Sequence, residues 1–219
     1  MLTQSEENYL KIIYNLSGAN KVIVSTNAVA SAINTKAASA TDMIQKLSKK
    51  GLVKYHKYQG VSPSSTGEKE ALNVIRKHRL WEVFLVQKLK FNWDEVHEVA
   101  EQLEHIESSM LIEQLDAFLG YPKYDPHGDP IPNTKGEMES YPTVTLSMLK
   151  PGDKAKVICA KDSSSDFLLF LDKIKISLGA KIEILDFFDY DGSYSLRVDG
   201  SSPITLSSKV ADNIYIDKS

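Results

Sequence analysis

Hydrophobic and polar residues follow a helical period through most of the first fifty positions. A capping-box pattern at residues 3–6 precedes an amphipathic block that predicts a helix over residues 4–16. A second helix is predicted from Thr26, and a third over residues 36–50. Residues 52–61 alternate in hydrophobicity and predict a small β-hairpin. Three short helices followed by a hairpin are typical of a winged helix-turn-helix domain.

Longer amphipathic segments predict three further helices in the middle of the chain. The first covers residues 66–89, the second opens at the capping signature of residues 92–95, and the third covers residues 107–119. The third has a broad apolar face that suits a core or a dimer contact. Five of the eight prolines lie within residues 120–142. Because proline lacks a backbone donor, this stretch predicts an ordered loop followed by a linker.

From residue 143 onward the composition changes to alternating β-branched residues separated by turns. A short helix is predicted over residues 165–173, and Asp191-Gly192 is a hairpin signal. This pattern predicts a small β-barrel of the size of an SH3 domain. The predicted strands cover residues 154–160, 181–185, 193–198 and 213–216.

Together these elements predict a mainly α fold with a small β domain. The winged helix-turn-helix takes residues 1–65, a helical domain with its proline-rich loop takes residues 66–142, and the SH3-like β-barrel takes residues 143–219. With 42% hydrophobic and 25% charged residues, the composition is that of a soluble globular protein.

Composition also bears on the compartment. No stretch approaches about 18 uninterrupted apolar residues, so we expect no membrane span. The first seven residues are polar and acidic, which argues against a signal peptide and favours the cytoplasm. The single cysteine, Cys159, excludes an intramolecular disulfide and a zinc site built from several thiolates.

Charge is distributed unevenly along the chain. The first 60 residues carry eight lysines against three acidic residues, a net charge of +5, whereas the whole chain has a net charge of −3. The remainder is therefore acidic, with a net charge of −8. A basic N-terminal module indicates a polyanion such as DNA as its partner. A plain three-helix bundle with solubilising lysines is the alternative.

The most informative stretch for chemistry is residues 97–105. If this stretch is helical, His97, Glu101, Glu104 and His105 lie in one arc, opposite an apolar face. Two imidazoles and two carboxylates form a mixed nitrogen and oxygen ligand set, which suits a divalent transition metal. A solvated acidic helix face is the alternative interpretation.

Three motifs in succession resemble the diphtheria-toxin-repressor family of metal-dependent transcriptional regulators. They are Ile75-Arg76-Lys77-His78-Arg79-Leu80 followed by Glu82, the segment 96–105, and the loop with Pro126-His127-Gly128 and Pro130-Ile131-Pro132. The resemblance covers essentially the whole chain and is greatest to the longer, manganese-type members with a C-terminal barrel. It implies that the helical domain binds metal and forms the dimer.

The resemblance implies two neighbouring metal sites in each subunit, both in the helical domain. The first site would comprise His78, Glu82, His97 and an acidic ligand from the barrel. Asp166 best matches that position, and Asp162 is the substitute. This residue would connect the barrel to the metal site.

The second and primary site would comprise Glu101, Glu104, His105 and a ligand from helix 1, at Asn8. Glu101 stands where iron-type members have a cysteine, and an oxygen ligand favours a harder ion. Asn8 stands where manganese-type members have an aspartate, and Lys11 stands where some short members have a second carboxylate. The sequence therefore leaves manganese(II) and iron(II) both open as the cofactor.

On this interpretation the metal-loaded protein binds a double-stranded operator as a homodimer and represses metal-uptake genes. Metal need not touch DNA, because it need only bind the DNA-competent state more tightly than other states. Helix 3 would enter the major groove of a palindromic site, and the hairpin would contact the backbone. The predicted DNA contacts are Lys36, Ala38, Ser39, Thr41 and Asp42 on helix 3, and Lys57 and Tyr58 in the wing.

Three other functions remain open from the residues alone. A metal-dependent hydrolase could use the same ligands, but the His-Glu-x-x-His pattern and an evident nucleophile with a base are missing, so we do not expect an enzyme. A winged-helix regulator that needs no metal would leave the 97–105 strip as surface charge. A scaffold whose barrel captures a peptide is the third alternative.

Overall fold

The computed structural model describes residues 2–18, 20–92, 95–141, 143–162 and 164–218. The chain divides into two compact units. The first unit consists of Met1–His78, Glu104–Glu107 and Pro132–Glu137, and the second consists of Arg79–Leu103, Ser108–Ile131 and Met138–Ser219.

The first unit contains the predicted winged helix-turn-helix. Thr3 caps the first helix through the capping box that the sequence indicates, and Ser25 caps the second. The two strands of the wing pair antiparallel, from Val53 opposite Pro63 to His56 opposite Gly60. The elements are α1 (Gln4–Ser17), α2 (Thr26–Ala32), α3 (Ala37–Lys49), β1 (Val53–His56), β2 (Gly60–Pro63) and the first part of α4 (Ser65–Gln87).

Gly60 is required where the wing meets the helices. Its φ is +136°, and a Cβ there would lie 2.0 Å from the carbonyl oxygen of Val24. This close approach lets Val24 and Val61 exchange two backbone hydrogen bonds of 2.8 Å. The hairpin is thereby fixed to the segment before α2.

The helices of this unit meet in one apolar core. Leu10 and Ile13 of α1, Ile44 and Leu47 of α3, and Val61 of β2 are all fully buried. Because these α3 residues are three positions apart, one face of α3 is committed to the core and its opposite face is exposed.

A buried carboxylate joins α1 to α3 beside this core. Glu6 is fully buried, and its Oε1 lies 2.7 Å from the Lys50 ammonium and 3.1 Å from that of Lys46. Burial opposes ionisation of Glu6, but the bonds from Lys50, the Thr3 backbone and Lys46 outweigh it and lower the pKa from 4.5 to about 2.

The second unit contains the C-terminal sheet, which confirms the predicted β domain of SH3-like type. Five antiparallel strands lie in the order β6-β5-β4-β3-β7. The helix predicted over residues 165–173 is present, whereas β6 and α8 are not indicated by the sequence pattern. The elements are α5 (Val96–Leu103), α6 (Ser109–Phe118), a 3-10 turn (Leu146–Met148), β3 (Lys154–Ala160), α7 (Ser165–Lys173), β4 (Lys181–Phe188), β5 (Ser193–Val198), β6 (Ile204–Leu206), α8 (Ser208–Ala211) and β7 (Ile214–Lys218).

The proline-rich loop of the second unit is folded around one aspartate. The Asp125 carboxylate accepts hydrogen bonds from the backbone N–H groups of His127 (2.8 Å) and Asp129 (2.9 Å). The Ile131 N–H donates to the Lys123 carbonyl oxygen at 2.8 Å and closes the loop. Prolines on either side of these bonds have no N–H to satisfy, so the loop is ordered without helix or sheet.

The strip over residues 97–105 departs from its predicted form. Helix α5 ends at Leu103, and Glu104 and His105 lie in the following turn. The single helical arc expected for four ligands is therefore wrong beyond Leu103. The physical reason is tertiary, because the Glu104 side chain is fully buried and bonded to Lys11 and His78. The predicted cap of this helix includes Trp93 and Asp94, which lie outside the described residues.

None of the helices in the described ranges combines the length and the apolar character needed to cross a bilayer.

We predict that Glu6→Gln lowers the free energy of unfolding at pH 7 by about 1–2 kcal/mol, because it removes charged hydrogen bonds at a buried site. Glu6 has a lowered pKa in the folded state, so its contribution is complete above pH 4.5 and is lost as the pH falls towards about 2. Thermal unfolding from pH 7 to pH 2 measures this.

Glu107→Gln, at an exposed position of the same unit, is the control and should leave the melting temperature unchanged. A difference between wild type and Glu6→Gln that stays constant down to pH 2 would contradict the assignment.

Candidate metal centres and DNA interface

Three metal-ligating side chains converge in the second unit. Glu82 of α4 and Asp125 and His127 of the proline-rich loop each offer an atom within 4.8 Å of the others. Glu82 and Asp125 are both 2% exposed. The Glu82–Asp125–His127 cluster therefore places two buried carboxylates and an imidazole around one point.

Local structure fixes each member of this cluster. Glu82 is held by a long helix, and Asp125 is held by the two backbone bonds that also shape its loop. His127 lies in the same turn, with its Nδ1 3.8 Å from Glu82 Oε2. On the other side of the loop carboxylate, Arg79 Nε lies 3.5 Å from Asp125 Oδ2.

Negative charges lie close together at this cluster. Burial, with the nearby charges of Glu82 and Asp129, raises the pKa of Asp125 to about 7 despite the guanidinium of Arg79. Burying like charges together is costly unless a cation reaches them. A divalent cation ligated by these oxygens and the imidazole would relieve that cost.

His97 extends the same cluster. Its Nδ1 lies 3.3 Å from Glu82 Oε1 and its Nε2 lies 3.5 Å from Glu101 Oε1, one turn further along α5. His97 and Glu101 are about half exposed, at 60% and 52% of their side chains. The structure thus brings Glu101 to His97, whereas the resemblance assigned these two residues to different sites.

The cysteine of the second unit lies beside the proline-rich loop. Cys159 is buried beside Gly128 of the loop. Burial, and then the charges of Asp125 and Asp129, raise the pKa of its thiol to about 12. The thiolate is the form that binds metal, and it is disfavoured at neutral pH.

In the first unit Glu104 is the centre of a separate group. Its carboxylate is fully buried and chelates the ammonium of Lys11, at 2.7 Å for Oε1 and 2.9 Å for Oε2. His78 Nδ1 lies 2.6 Å from Oε2, and His105 Nε2 lies 3.7 Å from Oε1. Burial raises the pKa of Glu104, but the bonds to His78 and Lys11 outweigh it and leave the pKa below its usual value.

Helix α1 contributes two further polar side chains to this group. His105 Nδ1 lies 2.5 Å from Glu7 Oε2, a contact that sequence reasoning missed because Glu7 carries no motif. The Lys77 ammonium lies 3.7 Å from Glu7 Oε1. The buried Oδ1 of Asn8 has no hydrogen-bond partner among the described residues. The role of Asn8 as a ligand stays a prediction.

The ligand expected from the barrel is placed differently. Asp166 lies in the first turn of α7, where it is exposed and outside the Glu82–Asp125–His127 cluster. Asp162 accepts the backbone N–H of Ser164 at 2.9 Å, which lowers its pKa. Sequence reasoning singled out the loop that carries Asp125 and His127 but named neither as a ligand. Aspartate and histidine flanking a proline were the available signal.

All but one of the predicted DNA contacts are exposed on the winged helix. Lys36, Ala38, Ser39 and Asp42 are exposed at the start of α3, where Lys36 is the residue preceding the helix. Thr41 is half-buried, and its hydroxyl donates to the carbonyl oxygen of Ala37 at 2.8 Å. Thr41 is therefore engaged with the helix backbone.

An almost fully exposed aromatic residue lies at the tip of the wing. Tyr58 is 92% exposed and has a φ of +66° at the tip of the hairpin. The ammonium of Lys57 lies 5.0 Å from the centre of its ring. Both side chains are exposed, and their contact with a nucleic-acid backbone stays a prediction.

A winged helix-turn-helix with a free recognition face, on a chain that also gathers buried carboxylates and imidazoles, defines a DNA-binding regulator that responds to a metal ion. Two regions match the iron-dependent repressors: residues 1–61 match the N-terminal DNA-binding domain, and residues 64–133 match the metal-binding and dimerisation domain. Residues 144–218 match the FeoA domain. The chain belongs to this family of metal-dependent transcriptional repressors, which is the diphtheria-toxin-repressor family.

Individual relatives agree with this assignment. An HTH-type transcriptional regulator of Methanocaldococcus jannaschii is 33% identical over 118 residues, which is 54% of this chain and 94% of that protein. The regulator MntR of Oceanobacillus iheyensis is 34% identical over 125 residues, 57% of this chain and 84% of that protein. The solved structure of a manganese-dependent transcriptional repressor in complex with manganese is 35% identical, with a TM-score of 0.63 and coverage of 97% of this chain and 99% of the other.

We predict that two substitutions of Asp125 change the free energy of unfolding of the metal-free protein in opposite directions. Asp125→Asn keeps an oxygen acceptor for the loop and removes a buried negative charge, so it should stabilise by about 1–2 kcal/mol at pH 8. Asp125→Ala removes the acceptor as well and should lower the free energy of unfolding by about 1–3 kcal/mol, because two part-buried N–H groups lose their partner.

Thermal unfolding in excess chelator measures both effects. If both substitutions changed the free energy of unfolding in the same direction, the interpretation that neighbouring negative charges destabilise ionised Asp125 would be contradicted. Glu113→Gln, on the exposed side of α6, is the matched control for loss of a carboxylate.

Proposed function

We propose that this protein is a repressor that binds its operator when loaded with manganese(II) or iron(II), and that it controls genes for metal uptake. The Glu82–Asp125–His127 cluster carries the proposal. Two carboxylates and one imidazole, with His97 alongside, form the mixed oxygen and nitrogen set that suits both ions. The names of the relatives, among them a manganese-dependent repressor in complex with manganese, support the choice of metal.

The proposed centre overlaps the first site that the resemblance implies and differs from it in composition. It shares Glu82 and His97 with that site and adds Asp125 and His127 from the loop. A bound divalent ion would supply the positive charge that Arg79 provides only in part. The ligands themselves would draw the loop onto α4 and hold it there.

Regulation then follows from differential binding of the metal to two states of the protein. The ion stabilises whichever arrangement of the loop and α4 brings its ligands together. If that arrangement is the DNA-competent one, metal tightens operator binding by a coupling free energy of typically about 1–3 kcal/mol. The same ion need not contact DNA.

We further propose that the protein binds a palindromic operator as a homodimer. The exposed face of α3 would enter the major groove, with Lys36, Ala38 and Ser39 nearest the bases and Lys57 and Tyr58 against the backbone. The match of residues 64–133 to a domain described as metal-binding and dimerising supports the dimer. Two-fold symmetry would give the two recognition helices matching half-sites.

The central test is an anaerobic operator-binding titration with each divalent metal, starting from protein freed of metal. Manganese(II) or iron(II) should tighten binding by at least about 10-fold, as a coupling near 1.4 kcal/mol requires. Glu82→Gln and His127→Ala should lose most of this response while their metal-free DNA binding stays at the wild-type level.

Glu113→Gln should respond to metal like wild type. Operator binding that is unchanged by chelator, or a full metal response in both cluster variants, would overturn the proposed centre. The first result would favour a winged-helix regulator that needs no metal.

A second prediction concerns the basic residues of the DNA interface. Lys36→Ala and Lys57→Ala should each weaken operator binding several-fold and reduce the slope of log affinity against log salt by about one. Lys173→Ala removes an exposed lysine of the barrel and should change neither quantity. If the slope of log affinity against log salt were unchanged in both variants, these two lysines would not belong to the DNA interface.

A further inference from the structure

The lysine of α1 at position 11 stands where a metal ion is expected. Its ammonium lies 2.7 and 2.9 Å from the two oxygens of Glu104, so it is chelated as a cation would be. The Lys11 side chain is 13% exposed and that of Glu104 is fully buried. The two residues are 93 positions apart, so this bond joins α1 to the turn after α5.

Further charged and polar side chains lie around this ammonium in the part of the chain that the structure describes. Lys11 faces Glu104, Lys77 faces Glu7, and His78 and His105 bond to these same carboxylates. In these contacts between described residues, two lysine ammonium groups face two carboxylates. A divalent ion at Glu104 would meet the Lys11 ammonium at short range, and the two like charges would repel strongly.

The donor set of the primary site thus does not fit a divalent ion while Lys11 is in place. We propose that Lys11 is a built-in cation that replaces the primary metal, so that α1 is joined to Glu104 in the absence of any ion. Metal responsiveness then rests on the Glu82–Asp125–His127 cluster alone. The wild-type chain binds one regulatory ion per subunit, where the resemblance implies two. The statement that metal response depends on the Glu82–Asp125–His127 cluster rests on the proposed function. The role of Lys11 does not.

Replacing the lysine makes the consequence measurable. Lys11→Met keeps most of the aliphatic stem and removes the charge, which leaves Glu104 and Glu7 with an excess of negative charge. His105 and the Oδ1 of Asn8, which no described residue bonds, would then complete a set of oxygen and nitrogen donors. The variant should acquire a divalent site that the wild type lacks.

The first measurement counts manganese(II) bound to protein freed of metal, by following the free aqueous ion with electron paramagnetic resonance. Wild type should bind one equivalent per subunit, and Glu104→Gln should not change that number. Lys11→Met should bind two, and adding Glu104→Gln to it should return the number to one.

The second measurement is thermal unfolding in excess chelator. Lys11→Met should melt several degrees below wild type, and manganese(II) should recover most of the loss. Lys11→Gln, which can still donate to Glu104, provides a second neutral variant should the methionine fail to fold. Lys21→Met is the matched control, because Lys21 also pairs with a glutamate, Glu68 at 2.7 Å, but is 56% exposed. It should leave both the melting temperature and the manganese count nearly unchanged.

Two results would overturn the inference. One is a wild-type manganese count that drops by one in Glu104→Gln, since the ion would then be displacing Lys11. The other is a count in both neutral Lys11 variants that equals that of wild type. Failure of the proposed function is seen separately, as a wild-type count that Glu82→Gln does not lower.

Discussion

Buried carboxylates set the physical problem that this protein solves in two ways. Glu6, Glu82, Glu104 and Asp125 are each at most 2% exposed, and each would be unfavourable in its ionised form without a cation nearby. The first unit supplies those cations from its own lysines: Lys46 and Lys50 reach Glu6, and Lys11 reaches Glu104. Its ion pairs are therefore part of the fold.

The second unit meets the same demand only in part. Arg79 lies beside Asp125 and Asp129, and imidazoles lie beside Glu82, yet the pKa of Asp125 remains raised. Reversible binding of a cation is favoured where a carboxylate is only partly neutralised by the protein and is held in place. The order of the proline-rich loop, with Asp125 accepting two backbone hydrogen bonds, keeps the carboxylate from turning away to solvent.

This division changes how the family relationship applies to the chain. Belonging to the iron-dependent repressors implies metal control, but the side chains decide where the control lies. We propose that Lys11 of α1 takes the place of the ion at one of the two implied sites, and that Asp125 of the loop joins the other. The recognition face of α3 and the wing are unaffected, because their exposure follows from the core that Ile44 and Leu47 form on the other side of α3.

Much of the architecture was determined by the sequence itself. Period and capping predicted α1, α2, α3, the wing, α7 and most of the barrel strands, because local hydrogen bonding and the burial of one face leave a local pattern. Residue type alone also marked the imidazoles and carboxylates as candidate ligands. Only the tertiary structure decided which of them meet. Lys11 and Glu104 are 93 residues apart, and the end of α5 at Leu103 separates Glu104 from the helical arc of His97. Such contacts depend on long-range packing and buried charge, which the local periodicity of hydrophobic residues does not reveal.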